Sequence, residues 1–162
     1  GHYGFKQVKW ITHIDLASDD HRGYWPRRGW TDEAAIRTTA RIDLVRPEAG
    51  GLRVAGVALA GRRGVSAVEV RAVPVGSPAP PAVFVTPWTS AELHAPALSS
   101  MMWVQWRAWL PGVAARSDLA VEARATDGSG TPQESSAAPP FPNGSSGYHR
   151  VEAAAWSRAS RA

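Results

Sequence analysis

The sequence predicts an antiparallel β-sandwich, an all-β fold. From residue 36 onward, short runs rich in β-branched and aromatic residues recur, and turn signals rich in Gly and Pro separate them. No long segment has the 3.6-residue period of an amphipathic helix. The predicted strands cover residues 36–45, 52–59, 65–73, 82–86, 102–110, 119–125 and 148–154. Seven strands at this spacing favour a sandwich of about 110–120 residues.

The composition is that of one globular domain with an appendage. The chain has 162 residues, of which 44% are hydrophobic and 20% charged, as in ordinary folded proteins. The net charge of +4 comes mostly from scattered arginines, which does not favour nucleic-acid binding. No apolar run approaches the roughly 18 residues of a membrane span. We expect the sequence to be a piece of a longer protein, whose missing part would hold any export signal or membrane helix, so its compartment is left open.

The residue inventory argues against several kinds of site. The sequence has no cysteine, which excludes disulfides, thiolate zinc sites, iron–sulfur clusters and cysteine nucleophiles within it. The five histidines show no metal-ligand spacing, and Asp-Asp-His at residues 19–21 is typical of a solvated turn. Neither a nucleophile elbow nor a phosphate-binding glycine loop is present. We therefore expect no catalytic residue and no metal ligand in this sequence.

The first 33 residues differ in character from the rest. Residues 9–16 alternate loosely between apolar and polar and predict one strand, followed by a polar turn at residues 17–20. Residues 23–30 are aromatic and arginine-rich, and we expect them to pack on a neighbour through their tryptophans. Lys6 and Lys9, which stand before and at the start of this strand, form either a solvated edge or an anion clamp.

Several other segments carry specific expectations. Residues 74–81 and 128–147 are rich in Pro, Ser and Gly and predict loops, the second long enough to be functional or pinned by a partner. Residues 119–125 alternate cleanly and predict a half-buried strand. The last residues, 157–162, predict a frayed tail.

Eight tryptophans are many for this length, and three of them recur every third residue. On a strand, this spacing places Trp103 and Trp109 on one face and Trp106 on the other. One aromatic face is therefore expected in the core, and outward tryptophans favour an interface or a ligand platform. The alternative is that all three serve the core and a covering loop.

The ordered series of motifs resembles one known family. Residues 3–11, YGFKQVKWI, resemble the segment that closes the molybdopterin domain of sulfite-oxidase-type enzymes, and residues 23–30 look like the linker that follows it. Further motifs are similar, in the same order, to the C-terminal dimerisation domain of those enzymes; they lie at residues 36–42, 54–61, 65–70, 106–109, 124–128 with Gln133, and 147–151. The resemblance covers nearly the whole chain.

The resemblance implies a fold and a function. The fold would be an immunoglobulin-like sandwich of the E-set type, serving as a homodimerisation domain that packs against the enzyme's own catalytic domain. The enzyme would be an oxidoreductase that uses molybdenum, held by a pterin dithiolene and a cysteine thiolate, to oxidise or reduce sulfite or a related small oxo-compound. This sequence lacks that cysteine, so we do not expect it to be active alone.

The resemblance also assigns residues and boundaries. Gln7, Val8 and Lys9 match positions that touch the molybdopterin cofactor, and an ammonium group suits a phosphate or pterin oxygen. Gln7 replaces a basic or histidine residue of the animal enzymes. The loop at residues 141–147 lacks the arginine that the family places near the substrate anion. The implied organisation is a remnant of the catalytic domain at residues 1–33, a dimerisation domain at residues 34–155 and a flexible tail at residues 156–162.

A second interpretation is a stand-alone extracellular sandwich that binds carbohydrate or protein. In it, Trp103 and Trp109 would stack on sugar rings.

Overall fold

The predicted sandwich is confirmed in a computed structural model that describes residues 2–76, 86–94 and 98–153. The strands are β1 (Thr39–Glu48), β2 (Gly51–Leu59), β3 (Val65–Pro74), β4 (Thr89–Ser90), β5 (Glu92–Leu93), β6 (Val104–Pro111), β7 (Leu119–Asp127) and β8 (His149–Glu152). Three short 3₁₀ helices accompany them, at Gly4–Lys6, Pro26–Arg28 and Gly61–Arg63. Within the described ranges no helix is long and apolar enough to cross a membrane.

Two four-stranded antiparallel sheets form the sandwich. The first has the order β1-β2-β6-β5 and the second the order β4-β3-β7-β8. The first, second, fifth and sixth strands thus share one sheet, and the third, seventh and eighth lie in the other with β4 at its edge. This is the strand distribution of an immunoglobulin-type sandwich.

The core lies between the sheets because alternate residues of each strand point inward. The inward side chains on β6 are Val104, Trp106, Ala108 and Leu110, and those on β7 are Leu119, Val121, Ala123 and Ala125. Trp106 is the buried tryptophan of its trio, as the spacing predicts, whereas Trp103 is exposed and Trp109 half-buried. Trp103 precedes β6 and does not belong to the strand.

Trp106 fits the core because its neighbour on β2 has no side chain. Gly56 is paired with Trp106 in the strand register. A Cβ at Gly56 would collide with the carbonyl oxygen of Arg41 and would lie 2.8 Å from the indole ring of Trp106. A side chain at this position would collide with both groups, so glycine is required beside the buried Trp106.

Some sequence predictions need correction. The predicted strand at residues 9–16 is absent; this segment has no regular secondary structure and is exposed, and Trp10 has a φ of 56°, outside the β region. The very short strands β4 and β5 were not predicted. The expectation that β7 is half-buried is wrong for Glu122, which is 1% exposed although it points away from the core.

Three further predictions fall on residues that the structure does not describe. They are most of the strand at 82–86, most of the loop at 74–81 and the tail at 156–162.

The long loop at residues 128–147 is pinned by the sandwich itself. The amide oxygen of Gln133 accepts hydrogen bonds from Ala40 N–H (2.9 Å) on β1 and Ala125 N–H (3.1 Å) on β7. Its amide nitrogen donates to the carbonyl of Gly147 at 2.8 Å. One buried side chain thus links both sheets and the end of the loop.

Candidate functional site

The most unusual surface of the chain is its N-terminal segment, which divides into an anchor and an arm. We define the anchor as residues 2–6 and 23–37, and the arm as residues 7–22, which lie between the two anchor pieces. The backbone of Tyr3 donates to the carbonyl of Ala34 at 2.8 Å. The ammonium of Lys6 lies 2.6 Å from the carboxylate of Asp32 and lowers the pKa of that carboxyl. These two contacts hold the two pieces of the anchor together at the base of the arm.

The anchor is held on the sandwich through the loop at residues 140–146. Thr31 N–H donates to the carbonyl of Pro142 at 3.1 Å, and Arg37 Nε donates to the carbonyl of Asn143 at 3.0 Å. A Cβ added to Gly144 would collide with the ring of Tyr3. The close approach of this ring explains why glycine occupies that position, where φ is 85°.

A row of edge-to-face aromatic rings reinforces the anchor. Trp25 lies 6.3 Å from Trp30, and Trp30 lies 5.4 Å from Phe141 of the sandwich loop, between ring centroids. Tyr24 adds a ring at 4.9 Å from Trp25, and the guanidinium of Arg28 lies 3.6 Å above Tyr24. Such contacts each add to the stabilisation from buried area. The aromatic stretch at 23–30 therefore packs on this chain's own loop.

The arm presents its apolar side chains to solvent. Trp10 is 94% exposed and Leu16 is 100% exposed, and the same segment also exposes Val8, Ile11 and Ile14. The side-chain hydrogen bond within it is local and joins His13 Nε2 to Asp15 at 2.8 Å. Five large apolar side chains within a span this short are a marker of an interaction surface.

Gln7, Val8 and Lys9, the residues singled out by the sequence, all lie exposed at the start of the arm. Within the described part of the chain, Lys9 makes no hydrogen bond and no ion pair. Lys6 is instead paired with Asp32, so the two lysines do not act together as an anion clamp. Lys9 is therefore a cation of the arm that is available for an anionic partner.

The sequence resemblance predicts that these residues form part of a molybdopterin site, and their donor groups are compatible with that prediction. The ammonium of Lys9 and the amide of Gln7 suit phosphate and pterin oxygens. The sequence supplies no thiolate for the metal, and no group of three or more His, Asp or Glu side chains within the described ranges could hold a metal ion. The arm can therefore contribute donors to such a site, while the metal ligand would have to come from another segment.

A second surface of interest is a groove of about 420 Å³ on the outer face of the first sheet. Ala55 and Val57 form its floor, and Asp43, His94 and Arg107 lie around it. Arg107 makes a bidentate pair with Glu92, both contacts at 2.9 Å, and lowers the pKa of that carboxyl. No residue singled out by the sequence for cofactor binding lies here.

The outer face of the second sheet holds a buried polar row that sequence reasoning missed. Glu122 on β7 is paired in register with Arg71 on β3 and Arg150 on β8. The guanidinium groups of Arg71 and Arg124 lie 4.2 Å and 4.4 Å from the ring of Trp88. Each charged residue of the row occupies an outward position of its strand, but only the pairing of the strands brings these residues together.

His149 is another residue whose role depends on contacts between strands and not on a local sequence pattern. Its Nδ1 lies 3.0 Å from the backbone nitrogen of Ile42 and accepts that N–H, which joins β8 to β1. Burial lowers the pKa of this imidazole, and the nearby Asp43 opposes the effect. The residue is a structural link between the sheets.

Comparison with known proteins adds no family assignment. No protein-family model matches the chain, and no curated protein matches it. The class defined by the fold is an immunoglobulin-type sandwich with an anchored, exposed N-terminal arm.

Proposed function

We propose that this chain is the C-terminal dimerisation part of a molybdenum-cofactor-dependent oxidoreductase of the sulfite oxidase type. In this proposal the sandwich supports a homodimer, and the arm is the last segment of the catalytic domain. The ordered motif resemblance suggests the enzyme class. The exposed arm is the observation that carries the proposal.

The arm supports this function because it is held at both ends, yet its apolar side chains remain exposed in the described part of the chain. Burying Trp10 and Leu16 against another domain would remove a large apolar area from water, at roughly 25 cal/mol per Å². The Lys6–Asp32 pair and the aromatic row fix where the arm leaves the sandwich. A preorganised arm loses less conformational entropy when its partner domain folds around it.

Within the complete enzyme, the cofactor would supply two-electron redox chemistry at molybdenum. The role of this chain's residues is binding and orientation. Lys9 would neutralise a phosphate or hold a pterin oxygen, and Gln7 would donate from its amide. Val8 would place apolar surface between them. The sandwich would fix the position of these three residues through the anchor.

The test uses the full-length natural protein, produced in a host that makes the molybdenum cofactor. We expect the wild-type protein to retain molybdenum and Lys9→Ala to lose most of it during gel filtration, measured by elemental analysis. Arg62→Ala, which removes an exposed cation on the sandwich, should retain as much as the wild type. Wild-type protein that carries no molybdenum would rule out the proposed enzyme class. Equal retention by Lys9→Ala would rule out the role of Lys9 alone.

Homodimerisation is tested separately by sedimentation velocity. A dimer at micromolar concentration is the expected species of the full-length protein. A strict monomer over the same range would contradict the proposed role of the sandwich.

The carbohydrate-binding alternative gains no support from the positions of the two tryptophans. Trp103 precedes β6 and Trp109 lies near its other end, about 20 Å away at the rise of a strand. Trp109 packs over Gly51, and Arg53 lies 5.6 Å from its ring. The two rings therefore do not form one stacking platform, and a glycan-binding screen is expected to be negative.

A further inference from the structure

All the side-chain sulfur of these 162 residues is concentrated at two neighbouring positions. The sequence contains two methionines, Met101 and Met102, and no cysteine. Methionine is usually among the buried residues of a folded domain. Here the two side chains are 53% and 42% exposed, so both thioethers are accessible at the surface.

A short turn before β6 holds these methionines outside the core. Met102 N–H donates to the carbonyl of Ser99 at 3.1 Å, and Met101 N–H donates to the hydroxyl of the same serine at 3.2 Å. The turn lies against Gly64, where a Cβ would be 3.3 Å from that of Ser100. Neither methionine belongs to the hydrophobic core cluster.

The methionines are the centre of a larger apolar surface, which we call the methionine patch: Leu98, Met101, Met102 and Trp103, all exposed. The patch lies at the end of the sandwich where β6 begins, opposite the end of β2. The start of β1 pairs with that same end of β2. The anchor therefore enters the sandwich at the end that carries the patch.

We propose that Met101 and Met102 are an oxidation site for a hydroperoxide-class oxidant. In each reaction the sulfur lone pair attacks one peroxide oxygen and the O–O bond breaks. The sulfur is oxidised by two electrons to a sulfoxide, and the other oxygen leaves as water or an alcohol after gaining a proton. Within these 162 residues no thiol competes, so the two thioethers are their soft sulfur nucleophiles.

Oxidation changes the character of the patch without involving the fold. A sulfoxide is polar and chiral, whereas the thioether is apolar, so the patch loses its apolar centre. Because both side chains lie outside the core, the sandwich keeps its packing. Methionine sulfoxide reductases return the thioether, which makes the change reversible.

The test treats the purified full chain with a modest excess of hydrogen peroxide. We expect a mass gain of about 32 Da, one oxygen for each thioether, which fragmentation mass spectrometry assigns to residues 101 and 102. Retention on a hydrophobic-interaction column should fall, and methionine sulfoxide reductase should restore both mass and retention. The thermal midpoint should not change.

The matched control is the double variant Met101→Leu/Met102→Leu, which keeps the apolar volume and removes the sulfur. The double variant should gain no oxygen and keep its retention time under the same treatment, even though its exposed arm is identical to that of the wild type. Oxidation of tryptophans ahead of the methionines would overturn the proposal. Sulfoxide formation that occurs only as the chain unfolds, or that leaves retention unchanged, would also overturn it.

Discussion

The carboxylate of Glu122 accepts a hydrogen bond of 2.9 Å from Nε of Arg71 on the face of the second sheet that points away from the core. Arg150 contacts the other carboxylate oxygen, with Nε at 3.1 Å. Since the three residues come from β3, β7 and β8, one buried carboxylate joins three adjacent strands. Trp88 covers Arg71 from above. This row stabilises the second sheet on a face that sequence alternation assigned to solvent.

Removing the carboxylate at the centre of this row should be strongly destabilising. Glu122→Ala removes a carboxylate partner from two guanidinium groups that are poorly solvated. We expect the free energy of unfolding to fall by about 3–5 kcal/mol as a result. Urea denaturation measures it. The control is Glu92→Ala, which breaks the exposed pair with Arg107 and should leave the denaturation midpoint near that of the wild type. Equal effects of both substitutions would show that burial of the row is not what matters.

The stability of the fold should depend on the hydrogen-bonding amide of Gln133 and not on the volume of its side chain. In Gln133→Leu, the N–H groups of Ala40 and Ala125 lose their acceptor while remaining buried. The expected loss in the free energy of unfolding is about 2 kcal/mol or more. The same substitution at the exposed Gln105 is the control and should have little effect. A harmless Gln133→Leu would mean that water or another group replaces the amide.

Stability in acid should depend on Asp127. The hydroxyl of Ser129 is the main cause that lowers the pKa of this carboxyl to about 2; burial opposes it, and Thr131 N–H and Arg63 add to it. Because the folded-state value lies below the ordinary 3.8, the carboxylate contributes stability above that pH and loses it as the pH falls toward 2.

Unfolding by urea at pH values between 5 and about 2 tests this dependence. The slope of stability against pH should be smaller in Asp127→Asn than in the wild type. Glu48→Gln serves as the comparison, because Arg53 and Arg46 also lower the pKa of this half-buried carboxyl to about 2. An unchanged slope in Asp127→Asn would disprove the role of this residue.

The arm should contribute nothing to the stability of the sandwich. Trp10→Ala and Leu16→Ala remove side chains that contact little in this chain, so the thermal midpoint should stay at the wild-type value. Trp106→Ala, at a buried tryptophan, should cost about 3–5 kcal/mol. Thermal unfolding followed by circular dichroism compares the three variants. A lower midpoint for either arm variant would mean that the arm packs on the sandwich.

The sequence predicts most of the fold because each long strand carries its own pattern. β1, β2, β3, β6, β7 and β8 coincide with predicted runs, and the position of Trp106 follows from spacing alone. The two-residue strands β4 and β5 are too short to show a period. Alternation at residues 9–16 failed as evidence for a strand because a strand also needs a hydrogen-bonding partner. No strand in the described ranges pairs with this segment.

The candidate site could be predicted less fully than the fold, because it also depends on contacts between distant segments. Lys9 can be singled out by its neighbours in the sequence, but the commitment of Lys6 to Asp32 depends on a contact across the anchor. The burial of Glu122 likewise depends on which strands become neighbours. These are properties of pairing between distant segments, which no local pattern contains.

The central claim is that this sandwich belongs to a molybdenum enzyme. The most direct measurement is elemental analysis of the natural protein, captured from its source cells with an antibody against the sandwich. The account predicts molybdenum at about one atom per polypeptide. Captured protein that is intact and folded but contains no molybdenum would contradict it.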